Sequence, residues 1–194
     1  SAVLLANYPE SSAKLTLLNA NNSLSLLIRE AQIRGSAVDS VNSTLGGYGI
    51  TISDTAPTDL VLFADQVSTT SSQGLGIGNG IYDKIPDDEI KSTSKLLKGY
   101  SYKKLCVGSS TASQGAAPYG FLCNEANDPP ITSITISYTR PSVVAHIYIN
   151  NSTSTDFASA CIQTYGPKSP LAGYIRSVKA YHSGMITTAE IPCD

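Results

Sequence analysis

The chain has 194 residues, of which 41% are hydrophobic and only 14% charged, with a formal net charge of -2 at pH 7. That is enough apolar material for one domain with a real core, and it excludes wholesale disorder. It also excludes any global attraction for nucleic acid or an anionic membrane, and no apolar run of about 18 residues offers a membrane span.

The opening, Ser1-Ala-Val-Leu-Leu-Ala6, reads like the tail of an apolar helix that begins upstream; a short buried helix start is the alternative. From 13 to 34 the apolar residues recur at i, i+3, i+4 and i+7: Leu17, Ala20, Leu24, Leu27, Ile28 and Ala31. This spacing predicts a helix from about 10 to 34 with one apolar stripe. Arg29, Glu30 and Arg34 lie near its end, and Gly35 is a plausible stop. Pro9 either opens this helix or kinks a longer one.

After Gly35 the period falls to 2. Strands are predicted at 48–52, 59–63, 100–107, 133–138, 145–149, 161–165 and 174–181, with a turn at Ser183-Gly184 before Met185-Ile186. Residues 86–98 fit either a short capped helix or a hairpin arm. The stretches 66–79 and 109–130 read as long loops. A lone helix followed by strands must bury its stripe on the sheet, which gives an α+β fold: a helix packed on a largely antiparallel sheet.

Cys106, Cys123, Cys161 and Cys193 show no C-x-x-C spacing, and only His146 and His182 could join them in a zinc site. An even number at wide spacing fits two disulfides and an oxidising compartment, against four buried free thiols. Of the three possible pairings, Cys106–Cys123 would close the 109–122 loop and Cys161–Cys193 would tie down the C-terminus.

Other candidate chemistry is thin. The acidic stretch 65–89 could offer calcium oxygen ligands but lacks the EF-hand pattern, so a solvated acidic loop is the default. Gly74-x-Gly-x-Gly78 has no lysine at Walker spacing and no βαβ context. No G-x-S-x-G elbow, paired carboxylates or nucleophile–base–orienter set can be named, so no enzyme is expected.

Charge is segregated. Residues 54–89 hold seven acids and one lysine, and 91–104 hold five lysines and no acid. Two ordinary solvated surfaces would explain this. The sharper reading is complementary patches meeting between copies, with Lys91, Lys95 and Lys98 facing Asp83, Asp87 and Asp88. A lysine-only patch beside Tyr100 and Tyr102 is a weak nucleic-acid signal.

The order of elements resembles that of bacterial type IV pilins and the pseudopilins of type II secretion, most closely their GspH/FimT-like branch. The similar stretches are Ser1-Ala-Val-Leu-Leu-Ala-Asn-Tyr-Pro9, Leu26-Leu-Ile-Arg-Glu-Ala-Gln-Ile-Arg-Gly35, Gly47-Tyr-Gly-Ile50, Leu60-Val-Leu-Phe-Ala-Asp65, Asn79-Gly-Ile-Tyr-Asp83, Tyr174-Ile-Arg-Ser-Val178 and Gly184-Met-Ile-Thr187. The resemblance implies a pilin-like fold, with 1–35 as the C-terminal part of the pilin helix and 36–194 as the β-rich head of the same domain. It implies a processed leader and an apolar helix before Ser1, and inner-membrane anchoring before assembly into a cell-surface filament. Other pilin subunits and the pilus or secretion machinery are the implied partners, and no cofactor or active site comes with the family. The role implied is a structural subunit serving adhesion, motility or host contact, or alternatively a pseudopilin or a DNA-uptake minor pilin. Gly173-Tyr-Ile-Arg176 does not match the Gly-Arg-x-Arg signature of DNA-binding minor pilins, which makes nucleic acid an unlikely partner. The remaining alternative, from another class, is a free secreted β-rich binding module.

Overall fold

The structure, a computed structural model, describes residues 2–37, 47–65, 79–82, 88–108, 122–124, 130–139, 142–167 and 174–193, with the backbone alone for 2–9 and 88–91. Helix α1 (Ala2–Ser36) holds 35 residues, about 52 Å at 1.5 Å per residue. It begins eight residues before the predicted start and runs through Pro9, which neither opens nor ends it. Proline removes the N–H that would have met the Leu5 carbonyl, and its ring crowds that same carbonyl. Leu17, Leu24, Ile28 and Ala31 are fully buried, as the spacing predicts, whereas Leu27 lies at the edge of the core, partly exposed. Gly35 is helical and not a terminator. A Cβ there would lie 2.5 Å from the Tyr138 carbonyl oxygen, so glycine is required by the close approach of helix to strand.

Among the described residues ten strands follow: β1 (Gly47–Ser53), β2 (Asp59–Asp65), β3 (Asp88–Lys95), β4 (Ser101–Val107), β5 (Leu122–Cys123), β6 (Ser133–Tyr138), β7 (Ala145–Ile149), β8 (Ser159–Tyr165), β9 (Ile175–Tyr181) and β10 (Ile186–Ala189). The ambiguous 86–98 segment is therefore a hairpin arm over 88–95, paired antiparallel with β2. The sequence leads one to expect a single sheet; the chain forms two, ordered β3-β2-β1-β6-β7 and β10-β9-β8-β4-β5, with antiparallel pairing between the described neighbours.

Alternation puts Tyr48, Ile50 and Ile52 of β1, Leu60 and Leu62 of β2, and Ile134, Ile136 and Tyr138 of β6 on one face. Ala160 and Ile162 of β8 and Val178 and Ala180 of β9 face them from the second sheet, and all share one core with Leu24, Ile28 and Ala31 of α1. The helix touches β1, β2 and β6 of the first sheet and β8, β9 and β10 of the second, so a single stripe serves both. In β4 the register slips between Tyr102 and Lys104, which lets Tyr102 and Leu105, three apart, both face the core. That bulge is why the sequence alternates only partly there.

The outer face of each sheet is covered in part by chain. On the first, the Asp65 carboxylate is buried and accepts the Gly80 amide at 2.7 Å, and the Tyr82 ring meets Phe63 at 5.4 Å. On the second, the Ser177 hydroxyl donates to the Ile191 carbonyl at 2.7 Å, and Cys193 is bonded to Cys161. Gly184, at φ +84, turns the chain from β9 into β10 against the Val143 carbonyl and Gln32.

Candidate assembly surface

Helix α1 carries a second apolar line. Leu15, Leu26 and Ile33 are 59%, 64% and 67% exposed. At about 100° per residue their spacings of eleven and seven bring them within about 20° of one another on the helix, on nearly the opposite side from Leu17, Leu24, Ile28 and Ala31. Between them the same side is polar, with Asn19, Asn22, Arg29 and Glu30. The three apolar side chains therefore stand singly in solvent, about 16 and 10 Å apart along the helix. The spacings of eleven and seven hold the signal, but the stripe facing the core masks it. Toward the same end of the helix Lys14 pairs with Glu10 one turn away at 2.8 Å, and on the core side the Tyr100 hydroxyl donates to the Ala13 carbonyl at 3.0 Å. Among the described residues no helix is long and apolar enough to cross a membrane.

The four cysteines come together as expected in two disulfides, Cys106–Cys123 and Cys161–Cys193. They pack as one buried cluster on the outer face of the second sheet. Their function is to staple: one holds the two-residue strand β5 to β4, and the other fixes the last turn of the chain.

The charged candidates are less united. Lys95 reaches Asp59 of its own chain at 3.2 Å, across the β2–β3 pair, and is 70% exposed. The Thr58 hydroxyl and then the Lys95 ammonium hold the Asp59 carboxyl below the usual carboxylate range. Lys98 is exposed in the turn after β3, and Lys103 sits 5.7 Å over the Tyr165 ring. Asp88 and Lys91 lie on β3, where only the backbone is described, and Asp83 and Asp87 lie outside the described residues. So does most of the acidic stretch considered for calcium. Its described member, Asp65, spends its carboxylate on the Gly80 amide.

The chain's two histidines meet, which the sequence does not suggest. Asp156 Oδ2 lies 2.9 Å from Nδ1 of His146 on β7 and 3.7 Å from Nδ1 of His182 in the β9–β10 turn. Its Oδ1 accepts the Ile147 amide at 2.8 Å, and the Phe157 amide donates to the Ile147 carbonyl at 3.0 Å. β7 is the last strand of its sheet, so Asp156 and Phe157 occupy edge groups that would otherwise face water or another chain. The Ala145 amide donates to the His182 carbonyl at 2.9 Å and ties the two sheets at this seam. Among the described residues no group of three or more His, Cys, Asp and Glu side chains is placed to hold a metal ion.

No protein-family model matches the chain, and no curated protein or solved structure matches it either.

Proposed function

We propose that the chain is the head of a type IV pilin-like protein, a structural subunit, major or minor, of an extracellular filament. The observation that carries this reading is the exposed apolar line Leu15, Leu26 and Ile33 on the back of α1. A helix buried on one side and carrying exposed apolar residues on the other is suited to lie between its own sheets and a neighbour's helices. Two disulfides add support, because they suit an oxidising compartment and a long-lived exposed particle. The reading requires an apolar helix of about 20 residues upstream of Ser1, which anchors the subunit in the membrane and then passes into the filament core.

The test uses the whole gene product in its native host. Filaments sheared from the cell surface are expected to contain the chain. Leu26→Glu, at an exposed site, is expected to leave folding of the head unchanged and to remove the chain from the sheared fraction. If the natural protein is found only free in the medium, or if Leu26→Glu enters filaments normally, the reading fails. Loss of protein secretion or of DNA uptake in a deletion strain that never makes a shearable filament would move the chain to the pseudopilin or the DNA-uptake role.

A further inference from the structure

A groove lies on the outer face of the first sheet, beside the 79–82 segment. Its volume is about 460 Å³, within the range of pockets that hold small organic ligands. Thr51 of β1, Val61 of β2 and Ser133 of β6 form the floor, Asp59 one wall, and Tyr82 and Asn151 the other.

The walls are held firmly. Asn150 and Asn151 are consecutive residues in the left-handed region, at φ 55 and 52. They are the two central residues of a tight turn, closed by the Ser152 amide donating to the Ile149 carbonyl at 3.0 Å, a conformation that asparagine favours. Here Asn150 Oδ1 accepts the Thr132 and Ser133 amides at 2.7 and 3.3 Å, and its Nδ2 donates to the Pro130 carbonyl at 3.0 Å. Asn151 Nδ2 donates to the Tyr82 carbonyl at 3.2 Å. The Tyr82 ring is backed by Phe63. The groove is therefore set in shape before anything enters it, which lowers the entropy cost of binding.

Its open hydrogen-bonding capacity is mixed. The Asn151 side chain keeps Oδ1 and one N–H, and the Ser133 hydroxyl has no partner among the described residues. Asp59 takes the Thr58 hydroxyl at 2.9 Å and the Lys95 ammonium at 3.2 Å, two of the roughly four acceptor sites of a carboxylate. Net charge in the groove is close to zero because Lys95 offsets Asp59. Tyr82 itself is 8% exposed, so the match rests on the polar groups: a fitting ligand is uncharged and donates and accepts through several hydroxyls.

We propose that this groove binds a neutral saccharide, one or two sugar units long, with Asp59, Asn151 and Ser133 on its hydroxyls. The inference concerns the head alone and stands or falls separately from filament assembly.

The experiment is saturation-transfer NMR on the purified 194-residue chain. The probes are cellobiose, lactose, mannobiose and chitobiose, with sialyllactose as the anionic counterpart. At least one neutral disaccharide is expected to receive saturation at millimolar concentration, and sialyllactose is expected to bind no tighter than lactose. Asn151→Gly suits the left-handed turn and keeps the fold, and Asp59→Asn keeps the side-chain shape. Each is expected to weaken binding by about five- to tenfold, the loss of one ordinary hydrogen bond. The proposal is overturned if none of the four neutral sugars receives saturation, if both variants bind as the natural chain does, or if sialyllactose binds more tightly than lactose.

Discussion

Cys106 and Cys161 stand opposite each other on β4 and β8, yet each is bonded elsewhere, to Cys123 and Cys193. Four sulfurs thus share one buried site on the outer face of the second sheet. Antiparallel partners are separated by about 4.5–5.5 Å between Cα atoms, inside the span a disulfide bridges. The double variant Cys123→Ser, Cys193→Ser is therefore expected to form Cys106–Cys161 on oxidation, identified by non-reducing peptide mapping. Two free thiols in the folded, oxidised variant would show that the cross-strand geometry is not what the pairing implies. Cys161→Ser with Cys193→Ser instead releases the tail over Ser177, at a cost of about 3–4 kcal/mol on the chain-entropy account of the 32-residue separation.

The helix stripe has a gradient of burial that a substitution series resolves. Leu24 is fully buried in the shared core, and Leu27 sits at its edge. Leu24→Ala is expected to cost about 2–5 kcal/mol in urea unfolding, and Leu27→Ala clearly less. Equal losses would mean that the two sheets grip the helix more evenly than the structure has it.

Alkaline pH is expected to unfold the protein through its buried phenols. Burial pushes the Tyr102 and Tyr138 hydroxyls well above the ordinary tyrosine range. A folded-state value raised above the unfolded value of about 10 means that the native state holds its proton longer. The stability this represents is fully present below about pH 10 and is lost as pH rises from there through the folded-state values. In an ultraviolet titration of the eleven tyrosines, a late phenolate step that coincides with loss of the β-sheet signal is expected. Tyr138→Phe should delay that loss. Because the Tyr138 hydroxyl is buried with no hydrogen-bond partner among the described residues, the change should be neutral or stabilising at pH 7. A variant markedly weaker at pH 7 would reveal a bond to that hydroxyl.

Several features could be read from the chain because they are local. The 3.6 period of Leu17, Leu24, Ile28 and Ala31 and the 2 period of Ile134, Ile136 and Tyr138 each lie within a short stretch, where one face decides which residues are apolar. The cysteine pairs were accessible for a related reason: with four cysteines there are few pairings, and loop closure prefers two of them. The same local reading failed where neighbours decide. Asp88–Lys95 could be helix or strand until β2 offered it a ladder. Pro9 could open the helix or kink a longer one, and the longer helix is what forms, continuous on both sides of it.

How the strands are shared out, and what is left uncovered, depends on contacts between distant parts of the chain. Ile50 of β1 pairs with Ile136 of β6, far away in sequence, and His146 shares a carboxylate with His182 across two sheets. Such pairings depend on the entropy of closing long loops against the burial they allow, and no window of residues contains that balance. The sequence established one apolar stripe on α1. Only the packing of two sheets onto one side of it determined that Leu17, Leu24, Ile28 and Ala31 are buried while Leu15, Leu26 and Ile33 stay in solvent, because a helix between two sheets has one face to give them and must turn the other outward.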